Sequence, residues 1–189
     1  MPHALMWRTL KLIHTDLKAK AQANYGGDGA ADLLRAVASD GTPATVLYRL
    51  MQGAHRAHLT PFDTVFQKLN ATLCHCTIGR GADFGPGFVI FHSDGVVINT
   101  AVRGGSNVFI NHQVTVGDDG RHQVPNLGDN VYIGAGAKVL GAIEVGSGAR
   151  IGANAVVVKD VEADSTVVGI PAKPVTRKNG DGPAFPHER

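Results

Sequence analysis

Residues 131–160 read VYIGAGAKVLGAIEVGSGARIGANAVVVKD. Within this run Ile133, Val139, Val145, Ile151 and Val157 recur at intervals of six, with Gly136, Gly148 and Asn154 three positions behind three of these anchors. A helix repeats its apolar face about every 3.6 residues and a half-buried strand every two, so a strict period of six belongs to neither. Upstream the series runs through Ile78, Phe84, Ile90, Val96, Val102, Val108 and Val114, and after one longer gap it resumes at Leu127. Every anchor is Leu, Ile, Val or Phe, and all but two of the positions three after an anchor hold Gly, Asn or Asp. Those types tolerate positive φ, which predicts a corner once per period. Three corners close a triangular coil of three periods, neighbouring coils pair as parallel strands, and aliphatic ladders fill the interior. The product is a β-solenoid of four to five coils. An antiparallel sandwich would need period two and turns roughly every 8–12 residues, and the pattern fits it poorly.

Before Cys74 the apolar residues follow helical spacing: Leu5, Leu10, Leu12, Ile13 and Leu17, then Leu33, Leu34 and Val37, then Val46, Leu47, Leu50 and Met51. Thr42-Pro43 and Thr60-Pro61 read as N-caps followed by proline at the first helical position, so about four helices are expected. The chain is thus α+β: a helical domain over 1–76, a β-helix over 77–173 with one extruded loop, and a flexible tail over 174–189. Glycine is the compositional outlier, 24 of 189 residues, as a corner-rich fold requires. Eighteen basic and 16 acidic residues give a net charge of +2 with no basic block, which argues against a nucleic-acid partner. No apolar run approaches a membrane span or a signal h-region, and Cys74 and Cys76 are too close along a strand to bridge, so a cytoplasmic protein is expected.

Certain motifs resemble a known family. Gly85-Pro86-Gly87 followed by His92, Gly95 and Val96-Val97-Ile98, then Val114-Thr115-Val116-Gly117, Ile133 to Gly141 and Val168 to Lys173 are similar to the left-handed β-helix acyltransferases, and among these to bacterial serine acetyltransferases. The resemblance implies a left-handed coil, acetyl-CoA as co-substrate, a small hydroxyl-bearing acceptor, and His92 as the base. It also implies a homotrimer, or a dimer of trimers joined through the helices. The family places one aspartate where this chain has Thr77 and another immediately before the base, where this chain has Phe91. Serine is the expected acceptor, a sugar or glycan hydroxyl the alternative, and a non-catalytic or zinc-binding β-helix a remote one.

The chemistry is consistent on its own terms. Moving an acyl group from a thioester to a hydroxyl needs a group to take the hydroxyl proton, and histidine titrates in the right range. His92 follows the anchor Ile90 by two, an outward position. Asp94 and His112 both stand four after an anchor and lie one full coil apart, which predicts vertical neighbours in adjacent coils and a substitute polar network beside His92. The one break in the period, Asp118 to Asn126, exceeds the regular gap by seven and carries Arg121 and His122, which the resemblance assigns to the acceptor carboxylate. Ala135 and Ala153, also one coil apart, match positions where small side chains admit the pantetheine arm; Arg150, Lys159 and Lys173 are candidates for the CoA phosphates. Cys74-His75-Cys76 alternates faces and cannot converge on one ion, so no metal is expected. Val89, Val97, Ile98, Phe109, Ile110, Val116, Tyr132 and Val158 are expected outward, an apolar surface that favours self-association.

Overall fold

The computed structural model describes residues 2–175; of the expected tail over 174–189, Pro174 is paired in a strand and the residues from 176 onward lie outside the described ones. Four helices lead the chain: α1 (Pro2–Tyr25), α2 (Ala30–Ala38), α3 (Thr42–Arg56) and α4 (Thr60–Leu73). From Cys76 onward short strands build a three-faced parallel coil. Face A stacks Cys76–Ile78, Val96–Ile98, Thr115–Gly117, Lys138–Leu140 and Val156–Val157. Face B stacks Asp83–Phe84, Arg103–Gly104, Asn126–Leu127 and Glu144–Val145, extended by a bridge from Val145 to Val161. Face C stacks Val89–Ile90, Phe109–Ile110, Tyr132–Ile133, Arg150–Ile151 and Thr166–Val168, and ends with Lys173–Pro174 paired antiparallel.

Every anchor is buried, as the period of six requires. The coil is nevertheless less regular than the anchors suggest. Val97 pairs with Thr115, the regular offset of three periods, whereas Val89 pairs with Phe109, an offset longer by two. The extra pair of residues sits in the first coil, at the Ser93-Asp94 corner between faces C and A. Phe109 then pairs with Tyr132, an offset longer than the regular one by five, so the extruded loop adds five positions to its coil rather than seven. The period of six runs on through the first irregularity because face C has two inward positions per coil, both apolar: Phe88 and Ile90, Val108 and Ile110, Val131 and Ile133 are all buried.

This second inward position corrects the expected surface. Ile98, Ile110 and Val116 point into the core, and Val89 and Phe109 are buried as well, with α1 packed along face C; Val97 and Val158 remain exposed. Positive φ recurs at two corners of each coil, at Gly87, Asn107, Asn130, Gly148 and Asp164 before face C and at His75, Gly95, Gln113, Gly136 and Asn154 before face A. The A–B corner closes without it at Gly81, Asn99 and Asp160, but uses it at Gly141 and, on the extruded loop, at Gly120 and His122. The threonine caps are also displaced by one position: Gly41 and Leu59 precede α3 and α4, and the Thr42 hydroxyl instead donates to the Ala36 carbonyl at 2.6 Å.

The helices close the first coil. Tyr48 of α3 packs edge-on against Phe84 and Phe88, and its hydroxyl accepts from the Phe84 amide and donates to the Ala82 carbonyl. Arg49, fully buried, forms two bonds to Asp16 of α1 and donates to the carbonyls of Phe84 and Gly85; Asp16 in turn accepts from the amides of Gly87 and Phe88. One interior ion pair thereby satisfies both the helix contact and the Gly85-Pro86-Gly87 corner.

Candidate active site

The corner between faces C and A carries the candidate chemistry. Ile90, Ile110, Ile133 and Ile151 are register partners, so the residues two further on form one column along this edge: His92, His112, Ala135 and Ala153. Backbone bonds confirm the alignment, with Gly136 N donating to the His112 carbonyl and Asn154 N to that of Ala135. The small residues expected to admit pantetheine are thus in line with the expected base.

The two-residue insertion decides what stands next to His92. Because the register sets Ile90 against Ile110, the rings of His92 and His112 are neighbours, 5.9 Å apart and edge-to-face. The expected Asp94–His112 pairing does not form. The Asp94 carboxylate instead meets His75 Nδ1 at 2.9 Å, and only its backbone carbonyl reaches the next coil, accepting from Gln113 N. The carboxylate beside the base comes from the helices: Asp40, in the turn between α2 and α3, places Oδ2 2.8 Å from His92 Nδ1. The sequence reading missed it. The other Asp40 oxygen accepts from Gly41 N at 2.8 Å. The bond from His92 and the Gly41 amide hold the Asp40 carboxyl below the usual range against a modest burial effect. An ionised carboxylate only accepts, so Nδ1 carries a proton, and in the neutral ring the lone pair is the one on Nε2.

Thr77 is exposed on face A, and the Phe91 ring stacks on Phe109 at 6.0 Å. Arg121 and His122 lie on the extruded loop at the A–B corner, at the other end of the face A strands from His92. The loop is organised by its own aspartates: Asp118 accepts from Gly120 N and Asp119 from Arg121 N, and His122 Nδ1 stands 3.4 Å from Asp118 while its side chain is 97% exposed. Arg150 lies on face C with its guanidinium 5.4 Å over the Tyr132 ring. Lys159 and Lys173 come together, lining a cavity of about 360 Å³ at the last coil with Asp160, Glu162 and Pro171. Cys76 is turned into the core, where burial pushes its thiol up to about 12, and among the described residues no group of three or more His, Cys, Asp or Glu is placed to hold a metal. No described helix is long and apolar enough to cross a membrane.

A parallel coil with a histidine–carboxylate pair in line with a column of small residues defines an acyltransferase of the left-handed β-helix class. The family "Bacterial transferase hexapeptide (six repeats)" matches residues 125–159. A serine acetyltransferase of Helicobacter pylori is 41% identical over 140 residues, 72% of this chain and 82% of that one. The structure of Neisseria gonorrhoeae serine acetyltransferase in complex with serine aligns with a TM-score of 0.79 at 33% identity, covering 88% of this chain and 69% of that chain. A serine acetyltransferase in complex with CoA aligns with a TM-score of 0.80 at 28% identity over 88% of this chain and 69% of that chain. The chain belongs to the serine acetyltransferase family and is an acetyltransferase.

Proposed function

We propose that the protein transfers the acetyl group of acetyl-CoA to the hydroxyl of serine within a ternary complex, with His92 as general base. The observation that carries this reading is the 2.8 Å contact between His92 Nδ1 and Asp40. It leaves Nε2 to take the hydroxyl proton as the oxygen attacks the thioester carbonyl, and the same nitrogen then returns the proton to the departing thiolate. Asp40 thereby takes the orienting role of the aspartate that Thr77 replaces, reached through the fold rather than through the coil.

Ala135 and Ala153 leave room along the edge for the pantetheine arm, and the cavity with Lys159 and Lys173 offers cations to the phosphates. Arg150, over Tyr132, is the less accessible of the three cations. For the acceptor, the ammonium pairs with Asp94, which stands on the inserted corner beside His92 and meets an exposed His75. Arg121 and His122 take the acceptor carboxylate. Since their loop leaves from the opposite end of face A, it comes from a neighbouring protomer, and the working unit is a trimer or a dimer of trimers. Mixed oligomers of His92→Ala and loop-deleted chains should regain activity.

The deciding experiment is CoA release from acetyl-CoA with a panel of L-serine, homoserine and sugars. Saturable turnover on L-serine is expected; turnover confined to sugar hydroxyls overturns the acceptor assignment.

A further inference from the structure

Beneath the Asp40–His92 contact lies a cation that no step above uses. Lys20 of α1 is 2% exposed, and its ammonium donates to the backbone carbonyl of Asp40 and, at 3.0 Å, to that of Ile90. One carbonyl belongs to the residue that bears the carboxylate, the other to the strand residue two before the base. Burying an ammonium is costly, and an apolar side chain would fill the space among Ile13, Leu17, Thr45 and Val46 equally well. What an apolar side chain cannot do is donate to two interior carbonyls at once. The turn is pressed closely onto the strand at this point: a Cβ on Gly41, whose φ is +74°, would run into the carbonyls of Ile90 and Phe91.

We infer that Lys20 is a positioning residue of the active site, fastening the α2–α3 turn to the end of the strand so that the Asp40 carboxylate meets His92 at bonding distance. The inference rests on the reading of Asp40 and His92 as the orienting pair. Both of those side chains are more than half exposed, so water competes for their hydrogen bond, and a turn free to drift loses it. Burial lowers the Lys20 ammonium to about 8, with Asp40 acting in the opposite direction, so near neutrality it is charged and all three of its protons are available.

The test is a double-mutant cycle in the full chain, with folding checked by circular dichroism and a thermal melt. Lys20→Met is expected to lower kcat about tenfold while KM for both substrates moves less than twofold. In the Asp40→Asn background the same substitution should change kcat less than twofold, because the contact it positions is already weakened. The hydrogen-bonded Nδ1 proton of His92, followed by NMR in protein labelled at histidine nitrogen, should broaden or vanish in Lys20→Met. An equal loss in both backgrounds, or a folded Lys20→Met with unchanged kcat, overturns the positioning role. If Lys20→Met does not fold, Lys20→Gln, with shorter reach and fewer donors, is read in the same two backgrounds by the same criteria. Full kcat in Asp40→Asn alone instead removes the orienting pair itself, so the two failures are distinguishable.

Discussion

Replacing Asp40 by asparagine removes one negative charge and little else. The amide oxygen still accepts the His92 Nδ1 proton, so ring orientation survives and the loss falls on the transition state, where the imidazole becomes a cation. A hydrogen bond to a charged group contributes about 1.5–3 kcal/mol when well protected. Here the two side chains are 57% and 60% exposed, and solvent screening lowers that to about 1–2 kcal/mol. At about 1.4 kcal/mol per decade, Asp40→Asn should lower kcat roughly 5- to 30-fold. KM for acetyl-CoA should hold, since Ala135 and Ala153 lie two and three coils away along the edge. The assay is the initial rate of thioester loss at saturating acetyl-CoA and serine. A kcat within twofold of the parent, in a preparation where His92→Ala is impaired, would refute the pairing; a loss beyond a hundredfold would refute the screened magnitude.

Replacing His92 by alanine should lower turnover about 10²–10⁴-fold with CoA affinity retained in an equilibrium titration, the usual contribution of a positioned base; a loss below tenfold moves the role to His112. Arg49→Ala leaves Asp16 buried without its cation and should cost about 3–5 kcal/mol in denaturant unfolding, and Arg49→Met combined with Asp16→Leu should recover little of it, because the Phe84 and Gly85 carbonyls and the Gly87 and Phe88 amides then lose these partners. Asp94→Ala and His112→Ala should be additive in stability within about 0.5 kcal/mol, because the two side chains are not neighbours. For Lys20, whose folded pKa of about 8 lies below its ordinary 10.5, the unfolded chain binds more protons across that interval, so the parent gains stability as pH rises through it. The melting temperature of Lys20→Met relative to the parent should therefore fall between pH 8 and pH 10; a constant difference contradicts the assignment.

The coil was legible because a solenoid writes its interior into the chain as a period, and every anchor proved to be core. The phase of the coil was not. Two inward positions per side, both apolar, let the period continue across the insertion at Ser93-Asp94, and a shift of two positions exchanged His92 for Asp94 as the neighbour of His112. Asp40 was hidden for a different reason: it lies 52 residues from His92, and only the seating of Gly41 against the Ile90 carbonyl brings it there. One trace was present in α1, where Asp16 and Lys20 interrupt the apolar stripe of Ile13, Leu17 and Ala21. Charged residues on a face that must be buried point to interior partners, and both found them on the first coil.

A stack of parallel coils has no intrinsic length, since each layer offers the next the same unpaired backbone groups, and identical molecules could join end to end into fibres. Both ends of this stack are obstructed. At the first coil, Tyr48 and the Arg49–Asp16 pair occupy the surface on which another layer would seat, and they consume the carbonyls and amides of the Gly85-Pro86-Gly87 corner. At the last coil, Lys173–Pro174 reverses direction against Thr166–Val168, presenting a charged side chain and a proline without an N–H where a parallel strand would have to add. The coils of two molecules are thereby kept from merging end to end into one continuous stack.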